Sequence, residues 1–365
     1  MQQRALTIDN CVINDQSDCF VIAEIGNNHQ GSLETCKELF RAAKDAGAQS
    51  VKLQKRDNKS LYTQAFYHSP YNSENAYGST YGTHREALEF GQSEYIELQA
   101  YAKELGLIFF ATAFDFVSAD FLAALDVPCY KMASGDLTNL PLLRYVAKLG
   151  KPMIVSTGAA TMEEVQRAHD AIVAINPQLA LLQCTATYPS SFHQLDLNVI
   201  QTYRKAFSDT VIGLSGHDSG IAIAPAAYVL GARVVEKHFT LNRALKGTDH
   251  AFSLEPQGLR KMVRDLQRVR VALGNGEKNF YPEEASARMK MGKKIVAAHA
   301  MPVGHILRPE DFAFKSPGDG MAPYDVDSLY GYPLNRAVEQ DEAFSPEMLD
   351  RSKVSQSAAS EALSI

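Results

Sequence analysis

Short apolar runs recur along the chain, each followed by a stretch with helical spacing. FVIAEIG (20–26) precedes a helical pattern over 33–46, with Ser32 placed to cap it. SVKLQK (50–55) is second, and a long polar insert then runs to about residue 92. Ser93 is placed to cap a helix over 94–105, with Glu97 in its first turn. The series continues with runs at 107–112, 128–136, 151–158, 179–185, 210–216 and 232–239. Helical patterns over 118–125, 140–149, 162–175, 195–206, 221–230 and 256–273 follow them in turn. Apolar strands without clean alternation, each followed by a helix, predict a parallel sheet covered by helices. Eight strand–helix units over about 250 residues predict a closed (β/α)8 barrel, a TIM barrel. A doubly wound open sheet is the second choice. It would usually carry a glycine-rich fingerprint after its first strand, and GNNHQGS is not one.

Beyond the last helical pattern the texture changes. The spacing predicts a barrel domain over 1–276, a charged linker over 277–291, and a small turn-rich module over 292–351. A Ser/Ala-rich flexible tail over 352–365 ends the chain. The long insert after the second strand reads as a lid or binding loop.

The chain has 365 residues, and its net charge is −6. Nothing in that balance points to nucleic acid or an anionic membrane as partner, so local basic residues must serve any anionic substrate. The most apolar run, 221–230, is too short to span a bilayer and contains Pro225. Five scattered cysteines without CxxC spacing read as reduced thiols. With no apolar leader in MQQRALTIDN, they predict a cytoplasmic protein.

In a barrel of this kind the site lies at the C-terminal strand ends. Polar residues gather there: Glu24, Lys52, Gln54, Thr112, Lys131, Ser134, Ser156, Thr157, Thr185, Tyr188, Ser215, His217, Glu236, His238 and Asp249. Lysines inside buried parallel strands are costly unless paired. Lys52 and Lys131, beside Thr112, Ser134, Ser156 and Ser215, make a cationic, hydroxyl-rich mouth suited to phosphate or carboxylate. A Schiff-base role is the rival for either lysine. His217 and His238 end adjacent strands, so they either share one divalent metal or stand as independent polar residues. Two imidazoles with open positions suit Mn²⁺ or a similar ion better than structural zinc. Glu24 reads as an acid/base group or a contact to a sugar hydroxyl.

AEIGNNHQGS, VKLQK, YKMASGDLTNLPLL, VSTGAAT, LQCTATYP, GLSGHDSG and VEKHFTL…GTDHAFSLEP occur in this order. The set resembles the sialic acid synthase family over nearly the whole chain. The last module resembles the antifreeze-like (SAF) domain that follows the barrel in that family. The resemblance implies a transferase that condenses phosphoenolpyruvate with an N-acylated amino sugar and releases phosphate. It makes His217 and His238 ligands of Mn²⁺. It assigns Lys52, Thr112, Lys131, Ser134, Ser156 and Ser215 to phosphoenolpyruvate. It assigns Gln54, Asn75, Tyr188 and Asp249 to the sugar, and puts Glu24 at the reaction centre. It also implies a domain-swapped homodimer. Ser316 and Ala186 depart from the pattern, where some relatives carry an arginine and a polar residue. N-acetylmannosamine is the expected acceptor. Its 6-phosphate is the alternative, because the insert YGSTYGTHREALEF resembles the animal enzymes and places His84 and Arg85 for a second phosphate. Sugars leading to legionaminic-type acids are a further option. A pyruvate-dependent aldolase and a glycan- or ice-binding protein on an inert barrel are the rivals of other classes.

Overall fold

The computed structural model describes residues 4–352. The expected tail over 352–365 lies outside them, apart from Ser352. The chain divides into two units between Asn275 and Gly276.

A hairpin of β1 (Ala5–Ile8) and β2 (Cys11–Asn14) opens the first unit. Eight parallel strands follow: β3 (Phe20–Gly26), β4 (Ser50–Lys55), β5 (Ile108–Ala113), β6 (Tyr130–Met132), β7 (Met153–Ser156), β8 (Leu179–Cys184), β9 (Val211–Gly216) and β10 (Val234–His238). They pair in sequence order, and β10 pairs with β3, so the sheet is a closed barrel and not an open doubly wound sheet. Helices cover it, among them Leu33–Asp45, Met162–Val173 and Pro256–Ala272.

Strand side chains alternate between faces. In β3, Val21, Ala23 and Ile25 join the core between strands and helices, while Phe20 and Ile22 point into the barrel. The inward row then ends on Glu24. Other strands repeat this gradient. Phe110 precedes Thr112, Cys129 precedes Lys131, Ile154 precedes Ser156, and Val234 precedes Glu236 and His238. Apolar residues therefore fill the base of the barrel and polar ones its C-terminal mouth. Both faces are buried, so the period of two is hidden in a hydrophobicity profile.

Gly213 sits in that inward packing. A Cβ there would lie 2.4 Å from both Leu182 Cδ2 and the Val234 carbonyl oxygen. Gly213→Ala is expected to destabilise the barrel by about 1–3 kcal/mol through overpacking. A thermal melt checks this, and an unchanged midpoint would show that the strands yield there.

The first hairpin closes the base. Leu6, Ile8 and Ile13 pack with Phe20, Val211 and Val234, which begin their strands. Arg204 holds Asp15 through Nη1 at 2.7 Å and Nη2 at 3.1 Å. The Arg233 guanidinium donates to the Asp15 carbonyl oxygen at 3.1 and 2.9 Å.

Several boundaries differ from the sequence expectation. The run at 128–136 yields only three strand residues, Tyr130–Met132, before a 3-10 turn over Ser134–Asp136. The second helix begins at Gln92 with Gly91 as its cap, and Ser93 lies inside it. The Glu94 carboxylate, not the Ser93 hydroxyl, accepts the Gly91 N–H. The insert is ordered by three short helices, Asn58–Leu61, Gln64–Tyr67 and Tyr81–Glu86.

In the second unit, β11 (Lys294–Ala297) and β12 (Phe312–Lys315) pair antiparallel. Isolated bridges and turns complete a small core around Ile295, Leu307, Phe312, Leu334 and Phe344. The buried Asp311 carboxylate joins two histidines, with His305 Nε2 at 2.8 Å and His299 Nε2 at 3.2 Å.

Candidate active site

The barrel mouth holds a cavity of about 580 Å³. It is lined by Glu24, Lys52, Gln54, Thr112, Lys131, Ser134, Ser156, Tyr188, Ser215, His217, His238 and Asp249. Strand register brings these distant residues together: His238 aligns with Glu24, Glu24 with Lys52, Thr112 with Lys131, and Ser215 with Glu236.

Two buried ammonium groups organise the floor. Lys52 Nζ lies 2.7 Å from Glu24 Oε2 and 3.9 Å from Glu236 Oε1, and donates to Thr112 Oγ1 at 2.8 Å. Lys131 Nζ donates to Ser156 Oγ at 2.7 Å and to the Met132 carbonyl at 2.9 Å. Ser134 Oγ accepts the Gly158 N–H at 2.9 Å. Ser215 Oγ donates to Glu236 Oε1 at 3.4 Å. Burial pushes the Glu24 carboxyl up to about 7, against the pull of the Lys52 charge and with Glu236 adding to the rise. Glu236 is also buried, yet the Lys131 and Lys52 charges hold it below the usual carboxylate range. The two acids are thus driven apart, and Glu24 is the one poised to exchange a proton near neutrality. Burial lowers Lys131 from its ordinary value.

The two histidines stand side by side, their ring centroids 5.4 Å apart. His217 Nδ1 lies 2.8 Å from the Thr185 carbonyl, which only accepts, so that nitrogen donates, and Nε2 is the ring nitrogen left for an ion. His238 Nδ1 is buried without a hydrogen-bond partner, and Asp249 Oδ2 is 3.7 Å away. This donor set fits a divalent ion. Among the described residues no group of three or more His, Cys, Asp or Glu is arranged to hold a metal. Two imidazoles would therefore be completed by oxygens of substrate and water, as an open catalytic site requires.

Asn75 does not line the cavity with the others. Its Oδ1 accepts the Gly247 N–H at 2.9 Å, so it ties the insert to the loop carrying Asp249. Tyr77 adds to that tie by donating to the Lys246 carbonyl at 2.7 Å. The two basic candidates of the insert part company as well. His84 is buried within it and accepts the Tyr77 N–H at 3.1 Å, whereas Arg85 lines the cavity. Thr157 and Thr185 are spent on backbone carbonyls, those of Leu182 and Gln194.

Sequence reasoning missed Arg56, which also lines the cavity. It continues the inward row 52, 54, 56 one step beyond the strand, and that spacing was its signal. Its guanidinium lies 3.9 Å from the centre of the Phe114 ring. Burial, and then the neighbouring Arg85 charge, hold it below the usual guanidinium range. The mouth therefore has two cationic ends, lysines at the floor and arginines toward the insert.

Residues 39–278 match the NeuB family, and residues 294–350 match the SAF domain. The chain is 40% identical over 339 residues to the N-acetylneuraminate-9-phosphate synthase of Homo sapiens, covering 93% of this chain and 94% of that protein. It is 35% identical to the N,N'-diacetyllegionaminic acid synthase of Legionella pneumophila, covering 87% and 90%. Among solved structures it is similar to the N-acetylneuraminic acid synthetase of Leptospira borgpetersenii in complex with citrate. That likeness has a TM-score of 0.67 at 31% identity and covers 78% of this chain and 96% of that one. An eight-stranded barrel with this polar mouth, these two matches and these relatives place the chain in the NeuB family of sialic and related nonulosonic acid synthases, with a SAF domain after its barrel.

Proposed function

We propose that the chain condenses phosphoenolpyruvate with N-acetylmannosamine 6-phosphate, forming N-acetylneuraminate 9-phosphate and inorganic phosphate. One observation carries the choice of the phosphorylated sugar over the free sugar expected from sequence. Arg56 and Arg85 line the same cavity as Lys52 and Lys131, so there are cations for two separate anionic groups. The 40% identical human relative bears the name of the 9-phosphate synthase and supports the same reading.

In this proposal Lys52 and Lys131, with Thr112, Ser134, Ser156 and Ser215, hold the phosphate and carboxylate of phosphoenolpyruvate. Gln54, Tyr188 and Asp249 orient the open-chain sugar. The methylene carbon of phosphoenolpyruvate bonds to the aldehyde carbon, whose oxygen takes the proton held by Glu24. Positive charge develops at C2 of the enol ester. Water adds there and returns one proton to Glu24; as the C–O bond to phosphate breaks, the remaining hydroxyl proton goes to the departing phosphate and the carbonyl of the ketone forms. His217 and His238 would hold a divalent ion, Mn²⁺ in this proposal, which would supply Lewis acidity when bound. The buried cations act as fixed charges around the developing oxyanion. A homodimer belongs to the same proposal, and light scattering at twice the 40.1 kDa chain mass checks it.

Phosphate release from phosphoenolpyruvate with Mn²⁺ tests the acceptor. Charge-assisted hydrogen bonds are worth about 1.5–3 kcal/mol each, so the 6-phosphate is expected to exceed the free sugar at least about 100-fold in kcat/KM. Equal or better use of the free sugar would return the chain to the unphosphorylated reaction.

A further inference from the structure

We infer that Arg56 is a positioning residue, linking the anion end of the cavity to Glu24 through the side chain of Gln54. The inference rests on the 6-phosphate reading and deepens it: the sugar's terminal phosphate raises the rate of the chemical step as well as affinity.

Three inward side chains form one hydrogen-bonded line. Arg56 Nη2 donates to Gln54 Oε1 at 2.6 Å. Gln54 Nε2 donates to Glu24 Oε1 at 2.7 Å. Lys52 Nζ lies against the other oxygen, Glu24 Oε2, at 2.7 Å. A carboxamide has one accepting and one donating end. With a guanidinium at one side and a carboxylate at the other, only one orientation satisfies both neighbours. Flipped, the amide would face donor to donor and oxygen to oxygen. Arg56 therefore decides which way Gln54 points, and Gln54 holds the acid at the reaction centre.

The line has little slack. Gly26, at φ +55°, passes beside the Gln54–Glu24 bond, and a Cβ there would be 3.1 Å from both Gln54 Nε2 and Glu24 Oε1. At its other end the line is incomplete. Arg56 is 7% exposed, and its Nη1 is buried with no hydrogen-bond partner. The Glu89 carboxylate is 3.8 Å from Nη1, beyond hydrogen-bond reach. A buried donor left unmade costs free energy that an incoming acceptor recovers. A phosphate oxygen at Nη1 would fix the guanidinium at both ends over the Phe114 face. Gln54 would then be held in its one productive orientation, and Glu24 with it. Binding energy gained far from the reacting carbons is thereby spent on orientation at the reaction centre.

The test supplies the sugar in two pieces. Single-turnover phosphate release is measured at saturating phosphoenolpyruvate and Mn²⁺, so that product release does not mask the step. Wild-type protein with saturating unphosphorylated N-acetylmannosamine is expected to speed up at least about tenfold on adding phosphite dianion. Arg56→Lys keeps the charge but loses the two-handed fork. It is expected to lose that activation and to slow at saturating 6-phosphate sugar about tenfold, with KM changed less than about threefold. A thermal melt of this variant checks that it folds, and the wild-type arm needs no variant. Equal saturated rates with free and phosphorylated sugar, no phosphite activation, or an Arg56→Lys defect confined to KM would overturn the inference. A wild-type protein that rejects the 6-phosphate sugar would instead overturn the reading beneath it.

Discussion

Replacing His217 with alanine is expected to lower turnover about a thousandfold, while the barrel melts at nearly its wild-type temperature. The size follows from losing one of two imidazoles for a Lewis acid whose contribution is several kcal/mol, with each ~1.4 kcal/mol worth tenfold. The mild effect on stability follows from the place of the ring. His217 lies at the mouth, where its ring donates to the Thr185 carbonyl, a bond worth about 1 kcal/mol, and makes a long contact of 3.8 Å to Cys184 Sγ. Chelator should silence the wild-type protein, and Mn²⁺ should restore it but not the variant. Full phosphate release by His217→Ala, or a wild-type rate indifferent to chelator, would sink the metal assignment.

Lys52→Met should fail in a different way, losing both activity and stability. The Lys52 ammonium stands between Glu24 at 2.7 Å and Glu236 at 3.9 Å, and all three side chains are buried. Removing one partner of a buried ion pair typically costs about 3–5 kcal/mol, because the remaining charge is left uncompensated. For a barrel of this size that lowers the melting midpoint by roughly 10 °C. The deficit should shrink as pH falls toward neutrality. Burial already pushes Glu24 up to about 7, and losing the Lys52 charge raises it further. An acid whose folded pKa lies above its unfolded value binds more protons when folded, so stability falls as pH rises through that window. Measured against wild type, the Lys52→Met deficit should therefore shrink as pH falls from alkaline values to about 7 and stay level below that, where Glu24 is protonated in both proteins. A pH-independent deficit would mean that lost packing, and not charge, is responsible.

The barrel was legible because its strands are buried on both faces and each is followed by a helical stretch. Most of the mouth was legible for a related reason. A lysine, a glutamate or a histidine at the end of an apolar run has no inexpensive structural role, so Glu24, Lys52, Lys131, His217 and His238 declared themselves. Asn75 did not lend itself to this logic, because an asparagine in a loop serves backbone and ligand equally well. In the fold its Oδ1 accepts the Gly247 N–H. His84 and Arg85 are neighbours in sequence but project about 100° apart from a short helix, so one is spent inside the insert and the other faces the cavity. Arg56 escaped because it lies past the last strand residue, where a basic side chain is ordinarily solvated. The opening hairpin escaped because its eight paired residues are too few for a period to stand out. Its turn at Asp9, with φ 52°, was the available clue.

That hairpin has a consequence for how the chain is made. The groups that fasten it, Arg204 and Arg233, and the strand starts Val211 and Val234, are encoded some two hundred positions later. A segment made well before its partners is thus among the last to find its place. Until β9 and β10 have emerged, Leu6, Ile8 and Ile13 have no complete surface to cover. Contacts so distant in sequence slow folding and leave apolar surface exposed meanwhile. Nascent chains halted before residue 204 should accordingly be the species that chaperones hold, with the hairpin segment still open to a protease.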